Sequence, residues 1–131
     1  VAGGVVIGLG AITIAVAFYF VALRPPLLPE DLRYIGGNPQ ALSPALRDWL
    51  GIVFHTWGGF IAGYGIMLTG AGLFMLTGRN SWVVRATALS LPIVFGRFLY
   101  SNVLLSSDFL WVIAGLLALA LTAACLLILK L

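Results

Sequence analysis

Two chemistry-bearing side chains, an arginine and a histidine, stand in otherwise apolar sequence, and they are where this chain would do chemistry. Arg97 stands about two-thirds of the way along the run Trp82 to Leu104, and His55, the only histidine, stands near the start of the run Gly51 to Thr77. Asp48 precedes His55 by seven residues, which puts both on one face of a helix. Asp108 opens the last apolar run. With Tyr100 and Thr56 nearby, these residues define a candidate polar cluster of Arg97, His55, Asp48, Asp108 and Tyr100, opening toward the side that holds the long connecting segment. By insertion scales a central arginine costs about 2.5–3.5 kcal/mol in hydrocarbon, so Arg97 needs a partner or water. The competing reading is structural: Arg97 extends along its helix to the interface and pairs with a single aspartate. Pro92, five residues before it, frees a backbone carbonyl and permits a kink there.

His55 also has two readings. It is a hydrogen-bonded packing residue beside Gly58 and Gly59, or it ligates a haem or chlorophyll, because a glycine without a side chain lets a flat macrocycle approach the helix. A bis-histidine haem is excluded by the lack of a second histidine. No Cys/His/Asp spacing suggests a metal site. Nucleophilic triads, phosphate loops and paired catalytic carboxylates are all missing, which argues against an enzyme. The four acids, Glu30, Asp31, Asp48 and Asp108, all fall in loops or at helix ends. A proton-coupled exporter of the small four-helix type would need an acid inside its first span.

The elements that must position these residues are four nearly uncharged apolar runs, residues 1–23, 51–77, 82–104 and 109–129. Each is close to the ~20 residues that cross a bilayer as a helix. With 62% hydrophobic and 8% charged residues in 131, the chain lacks the polar surface of a water-soluble fold of this size. The expected fold is all-α, a single four-span membrane bundle over residues 1–131 with an interfacial helical segment at 24–50. A net charge of +3, dispersed over loops and helix ends, gives no track for a phosphate backbone, so nucleic acid is not a partner. Cys125, the one cysteine, reads as an apolar filler. The first run is too long for a signal h-region of ~7–15 residues and has no basic n-region, so it reads as a retained span. The chain begins at Val1 without a methionine, so native residues are expected to precede it.

The first helix should stop at Arg24, before Pro25 and Pro26. Pro29, with Glu30 and Asp31 behind it, opens a short helix that Gly36 and Gly37 end, with Leu28, Leu32 and Ile35 on one face against the interface or the bundle. Asn38-Pro39 makes a break. Ser43-Pro44 then reads as an N-cap opening a helix that runs into the second span, with Trp49 at headgroup level. Only Gly78 to Ser81 join the second and third spans, which makes them antiparallel neighbours. Asp108 or a neighbouring serine caps the last helix. Lysine and arginine tie at three on each side, Arg79, Arg85 and Lys130 against Arg24, Arg33 and Arg47. The acids of the long segment tilt the choice to both termini in the cytoplasm.

Small residues stripe the first helix at Gly4, Gly8, Ala11 and Ala15, and the second at Gly59, Gly63 and Gly70. Such stripes let helices approach closely in lipid. They either pack the bundle itself or dock another subunit.

The stretch Trp57-Gly58-Gly59, continuing as FIAGYGIML from Phe60 to Leu68, the pair Gly96-Arg97, and LLPEDLRYIG from Leu27 to Gly36 resemble small bacterial four-helix membrane proteins, similar in layout to the DoxX-like group. The resemblance spans Leu27 to Leu121. It implies a four-helix architecture in a bacterial inner membrane and brings no established activity. Those families often carry a polar residue ahead of the paired glycines, a place held here by His55 or Thr56, and an acid in the last helix, which this chain lacks. Two functions are therefore expected. The first is a non-catalytic subunit or scaffold of a larger membrane assembly, such as an electron-transfer or photosynthetic complex, with the bilayer and other membrane subunits as partners. The alternative is a binder, carrier or modifier of a lipid or quinone through Arg97 and His55.

Overall fold

A computed structural model describes residues 1–38, 40, 42–78 and 80–129. The break expected at Asn38-Pro39 and the charges of Arg79 and Lys130 involve residues outside that set. Every regular element among the described residues is helical: α1 (Ala2–Phe18), extended by a wider π-type turn over Tyr19–Leu23, α2 (Pro29–Tyr34), α3 (Pro44–Thr77), α4 (Ser81–Leu104) and α5 (Leu110–Leu129). Four of these, counting α1 with its π-type turn, are long and apolar enough to cross a membrane. At 1.5 Å per residue, the 34 residues of α3 extend about 51 Å, longer than the ~30 Å hydrocarbon core of a bilayer.

The caps follow from local chemistry. Ser43 accepts from the Leu46 N–H ahead of α3, and Pro44 fills the first helical position, where no N–H is needed. Asn80 accepts from the N–H groups of Trp82 (2.9 Å) and Val83 (3.3 Å) to open α4. Gly36 and Gly37 end α2 at φ +93° and +81°, a region L side chains avoid, and the Gly37 N–H returns to Leu32 O at 2.6 Å.

The helices associate as two pairs, α1 with α3 and α4 with α5, while α3 and α4, joined by the shortest turn, touch sparsely. The turn brings α3 and α4 side by side in sequence only; packing decides the partners. Along the α1–α3 seam, glycines recur every seven residues on both helices: Gly3 and Gly10 on α1, Gly58, Gly65 and Gly72 on α3. Gly72 receives Gly3 and Ile7, Gly65 receives Gly10 and Ile14, and Gly58 receives Val21. The approach is close enough that a Cβ added at Gly72 would fall 2.9 Å from the Gly3 carbonyl oxygen, and one at Gly3 would fall 2.9 Å from the Gly72 oxygen. The hydrogen standing in each Cβ position therefore points at a carbonyl of the other helix, a Cα–H···O contact.

This seam lies one or two residues away from the stripes singled out above. Gly4, Gly8, Gly59, Gly63 and Gly70 have nothing within 4 Å of an added Cβ, and the chain does not use them to pack against itself. The reason is helical phase: one residue turns 100° around the axis, so Gly3 and Gly4 face different neighbours. The second pair, α4–α5, follows another rule. Val84, Leu91 and Phe95 of α4 share a buried cluster with Ala120, Ala123 and Ala124 of α5, large against small.

Candidate functional site

The polar groups gather on α2. Asp31 accepts from the Leu28 N–H at 2.8 Å, one half of a capping box, and pairs with the Arg24 guanidinium at 2.8 Å. The side chains of this pair are only 5% and 12% exposed. Arg24 Cζ lies 3.5 Å from the centre of the Phe54 ring on α3 and 5.6 Å from that of Phe20, a cation–π sandwich. Its Nη1 donates to the carbonyls of Pro25 (3.0 Å) and Pro26 (3.4 Å). Nε has no hydrogen-bond acceptor among the described residues and is closed off from solvent beside the Phe54 face.

The opposite side of α2 reaches the turn between α4 and α5. Glu30 is buried and accepts from the Ser107 hydroxyl at 3.1 Å; the same oxygen of Ser107 accepts from the Phe109 N–H at the head of α5. Arg33 pairs with Asp108 at 2.8 Å and also donates to the Ser106 carbonyl at 3.3 Å. The hydrogen bond to Asp108 raises the Arg33 pKa above its ordinary value, although both partners are largely solvated. Through these contacts α2 straps the α1–α3 pair to the α4–α5 pair. Of α2's neighbours, it is Glu30 that turns inward, while Ile35 is exposed and Leu28 and Leu32 are half-buried.

The structure does not assemble the cluster expected from sequence. No hydrogen bond or ion pair joins Arg97, His55, Asp48 and Asp108 to one another among the described residues. Asp108 is engaged by Arg33. Arg97 is exposed and stacks on Tyr100, its Cζ 5.1 Å from the ring centre. Asp48 and His55 share an exposed face of α3. The Tyr64 hydroxyl meets the Ser90 hydroxyl of α4 at 3.0 Å, which fixes the direction from α3 to α4. His55 lies nine residues from Tyr64, or 900° of rotation, and so faces away from α4. His55 and Gly59 stand one turn apart on the outer face, with open space at Gly59. No group of three His, Cys, Asp or Glu that could hold a metal is found among the described residues, and Cys125 is exposed.

Sequence reasoning missed Arg24 and Glu30, and of Ser107 it saw only a candidate cap for the last helix, not the hydrogen bond to Glu30. Arg24 reads as a loop charge, and its signal is indirect: an arginine four residues after Phe20, ahead of two prolines that bend the chain back toward Asp31.

A shallow, open groove runs along an exposed flank of α3. It measures about 450 Å³ and is lined by Thr56, Gly59, Phe60, Gly63 and Tyr64. Compared with protein-family models, with curated proteins and with solved structures, the chain matches none.

Proposed function

We propose that this chain is a non-catalytic integral membrane subunit that packs against other membrane helices of a larger assembly. The observation that carries this reading is the outward face of α1. Gly4, Gly8, Ala11 and Ala15 are all exposed, in line along the helix, and flanked by exposed Ile12, Ile14 and Phe18. α1 already spends one small-residue face on α3, at Gly3 and Gly10, so its second small face is free for a further helix. Four helices long and apolar enough to cross a bilayer support placement in a membrane. The resemblance of its short glycine motifs to small bacterial four-helix proteins favours a bacterial inner membrane, and the acids of the segment between α1 and α3 favour cytoplasmic termini.

Extraction in a mild detergent should yield a particle far larger than the chain's own 13.9 kDa. Gly8→Leu should reduce that particle to the single chain and leave the chain's own unfolding unchanged, because an added Cβ at Gly8 meets nothing within 4 Å. Recovery of the unaltered protein as a lone monomer would refute the proposal. An absorbance spectrum of the intact particle tests for an electron-transfer or photosynthetic assembly, through bound haem or chlorophyll.

A further inference from the structure

The α1–α3 pair has two broad sides, and one of them is bare. The seam runs antiparallel, Gly3 against Gly72 and Gly10 against Gly65, so a given offset from a seam glycine points to the same side of the pair on both helices. One residue before and three after is the side that α4 and α5 cover. There Ala2, Val6 and Leu9 of α1 and Leu68 of α3 join the buried cluster with Val84 and Leu91, and Tyr64 meets Ser90. One residue after and two before is the opposite side, because two residues turn about 200° around a helix. That side holds Gly4, Gly8 and Ala11 of α1 beside Gly59, Gly63 and Gly70 of α3, every one exposed. The two small-residue rows therefore form one face, two helices wide, and Gly59 and Gly63 are also the floor of the groove on α3.

Three observations bear on what covers this face. The internal seam already shows that an α1 row of small residues and an α3 row of glycines pack together when antiparallel. A second copy, inserted the same way up and related by a twofold axis along the membrane normal, lays its α1 antiparallel on α3 of the first and its α3 on α1, so the same kind of pairing forms twice. No charged residue stands in either row, so two identical faces meet without like-charge repulsion. The α1 row continues from Val1 to Ala22, both exposed, which makes the face about 30 Å by ~18 Å, on the order of the ~600 Å² per partner of a small specific interface. We infer that this face binds a second copy of the chain, α1 of each copy lying on α3 of the other. The inference rests on the subunit reading and names the partner at its outward α1 face; it adds α3, which that reading does not use.

The test is co-expression of two copies of the full chain with different tags, extracted in mild detergent and captured through one tag. The second tag should be recovered with the first. Gly8→Leu, and equally Gly63→Leu on α3, placed in both copies, should abolish that recovery and leave the chain's own unfolding unchanged, since an added Cβ meets nothing within 4 Å at either position. The register is read by disulfides in a Cys125→Ser background. Gly65 packs between Gly10 and Ile14, which sets Ile66 level with Ala11. Ala11→Cys on one copy should therefore oxidise with Ile66→Cys on the other, and not with Met67→Cys, exposed but turned 100° away. A large particle that Gly8→Leu disperses but that never contains the second tag would overturn the inference and leave the subunit reading standing. A lone monomer would overturn both. Recovery of the second tag despite Gly63→Leu, or a disulfide through Met67→Cys as readily as through Ile66→Cys, would overturn this pairing of faces.

Discussion

Gly72→Ala places a methyl group where the α1–α3 seam has no room. The new Cβ would lie 2.9 Å from the Gly3 oxygen, 2.9 Å from the Ile7 nitrogen and 2.7 Å from Ile7 Cγ1. Two of these atoms are backbone, so a rotamer change cannot relieve the contact. Ordinary contact begins near 3.4 Å, so the helices must separate by about 0.5 Å, enough to forfeit roughly a quarter of the dispersion energy of the atom pairs it opens. Overpacking of this kind costs about 1–3 kcal/mol, and the reciprocal Cα–H···O contacts with Gly3 carry about 0.5–1 kcal/mol each. Against this, alanine gains up to ~1 kcal/mol over glycine in a helix interior. The net expectation is a loss of about 1–3 kcal/mol, read as a lower midpoint when the protein in mixed micelles is titrated with a denaturing detergent. Gly8→Ala and Gly63→Ala, with open space at both sites, should be neutral or gain up to ~1 kcal/mol. If Gly8→Ala or Gly63→Ala lowered the midpoint as far as Gly72→Ala, the seam would be misplaced and the reasoning from helical phase would fail.

Asp31→Ala strands the Arg24 guanidinium in its sheath between Phe20 and Phe54, and should cost about 3–5 kcal/mol in the same titration. Arg24→Leu with Asp31→Leu should recover most of that loss, since removing both charges leaves neither buried alone; additive losses would count against a buried pair. Ser107→Ala removes the hydroxyl that Glu30 accepts from and should destabilise by about 1–3 kcal/mol, whereas Ser107→Ala combined with Glu30→Leu should cost less than Ser107→Ala alone. By contrast Arg33→Ala, at a solvated pair, should leave the midpoint unmoved, and a large shift there would show the strap to depend on its exposed edge.

Much of the architecture is legible in the chain because bilayer-length apolar runs are a strong one-dimensional signal. The runs at 82–104 and 109–129 meet helices at Ser81–Leu104 and Leu110–Leu129, with end residues decided by Asn80 and Ser107. The glycine seam is not legible in the same way. Gly4 and Gly8, four residues apart, fit the familiar small-residue spacing, while Gly3 and Gly10 fit a period of seven that has meaning only against the matching period on α3. A single helix read alone cannot choose between them. The polar site was obscured by the same limit: Arg97 and His55 attract notice because apolar sequence surrounds them, yet the charges that meet are Arg24 with Asp31 and Arg33 with Asp108. Burial of Arg24 comes from Phe54, thirty residues on, and no local pattern announces it.

A repeating seam carries an ambiguity of its own. Because glycine returns every seven residues on α3, sliding α1 by one heptad, about 10 Å, would again set Ile14 and Val21 onto Gly72 and Gly65. Van der Waals fit along the middle of the interface distinguishes these alignments only by the one nest left empty at Gly58. The aromatic socket that receives Arg24 occurs once, at Phe54, and it acts as an indexing pin: only one of the equivalent settings lets the cation reach it.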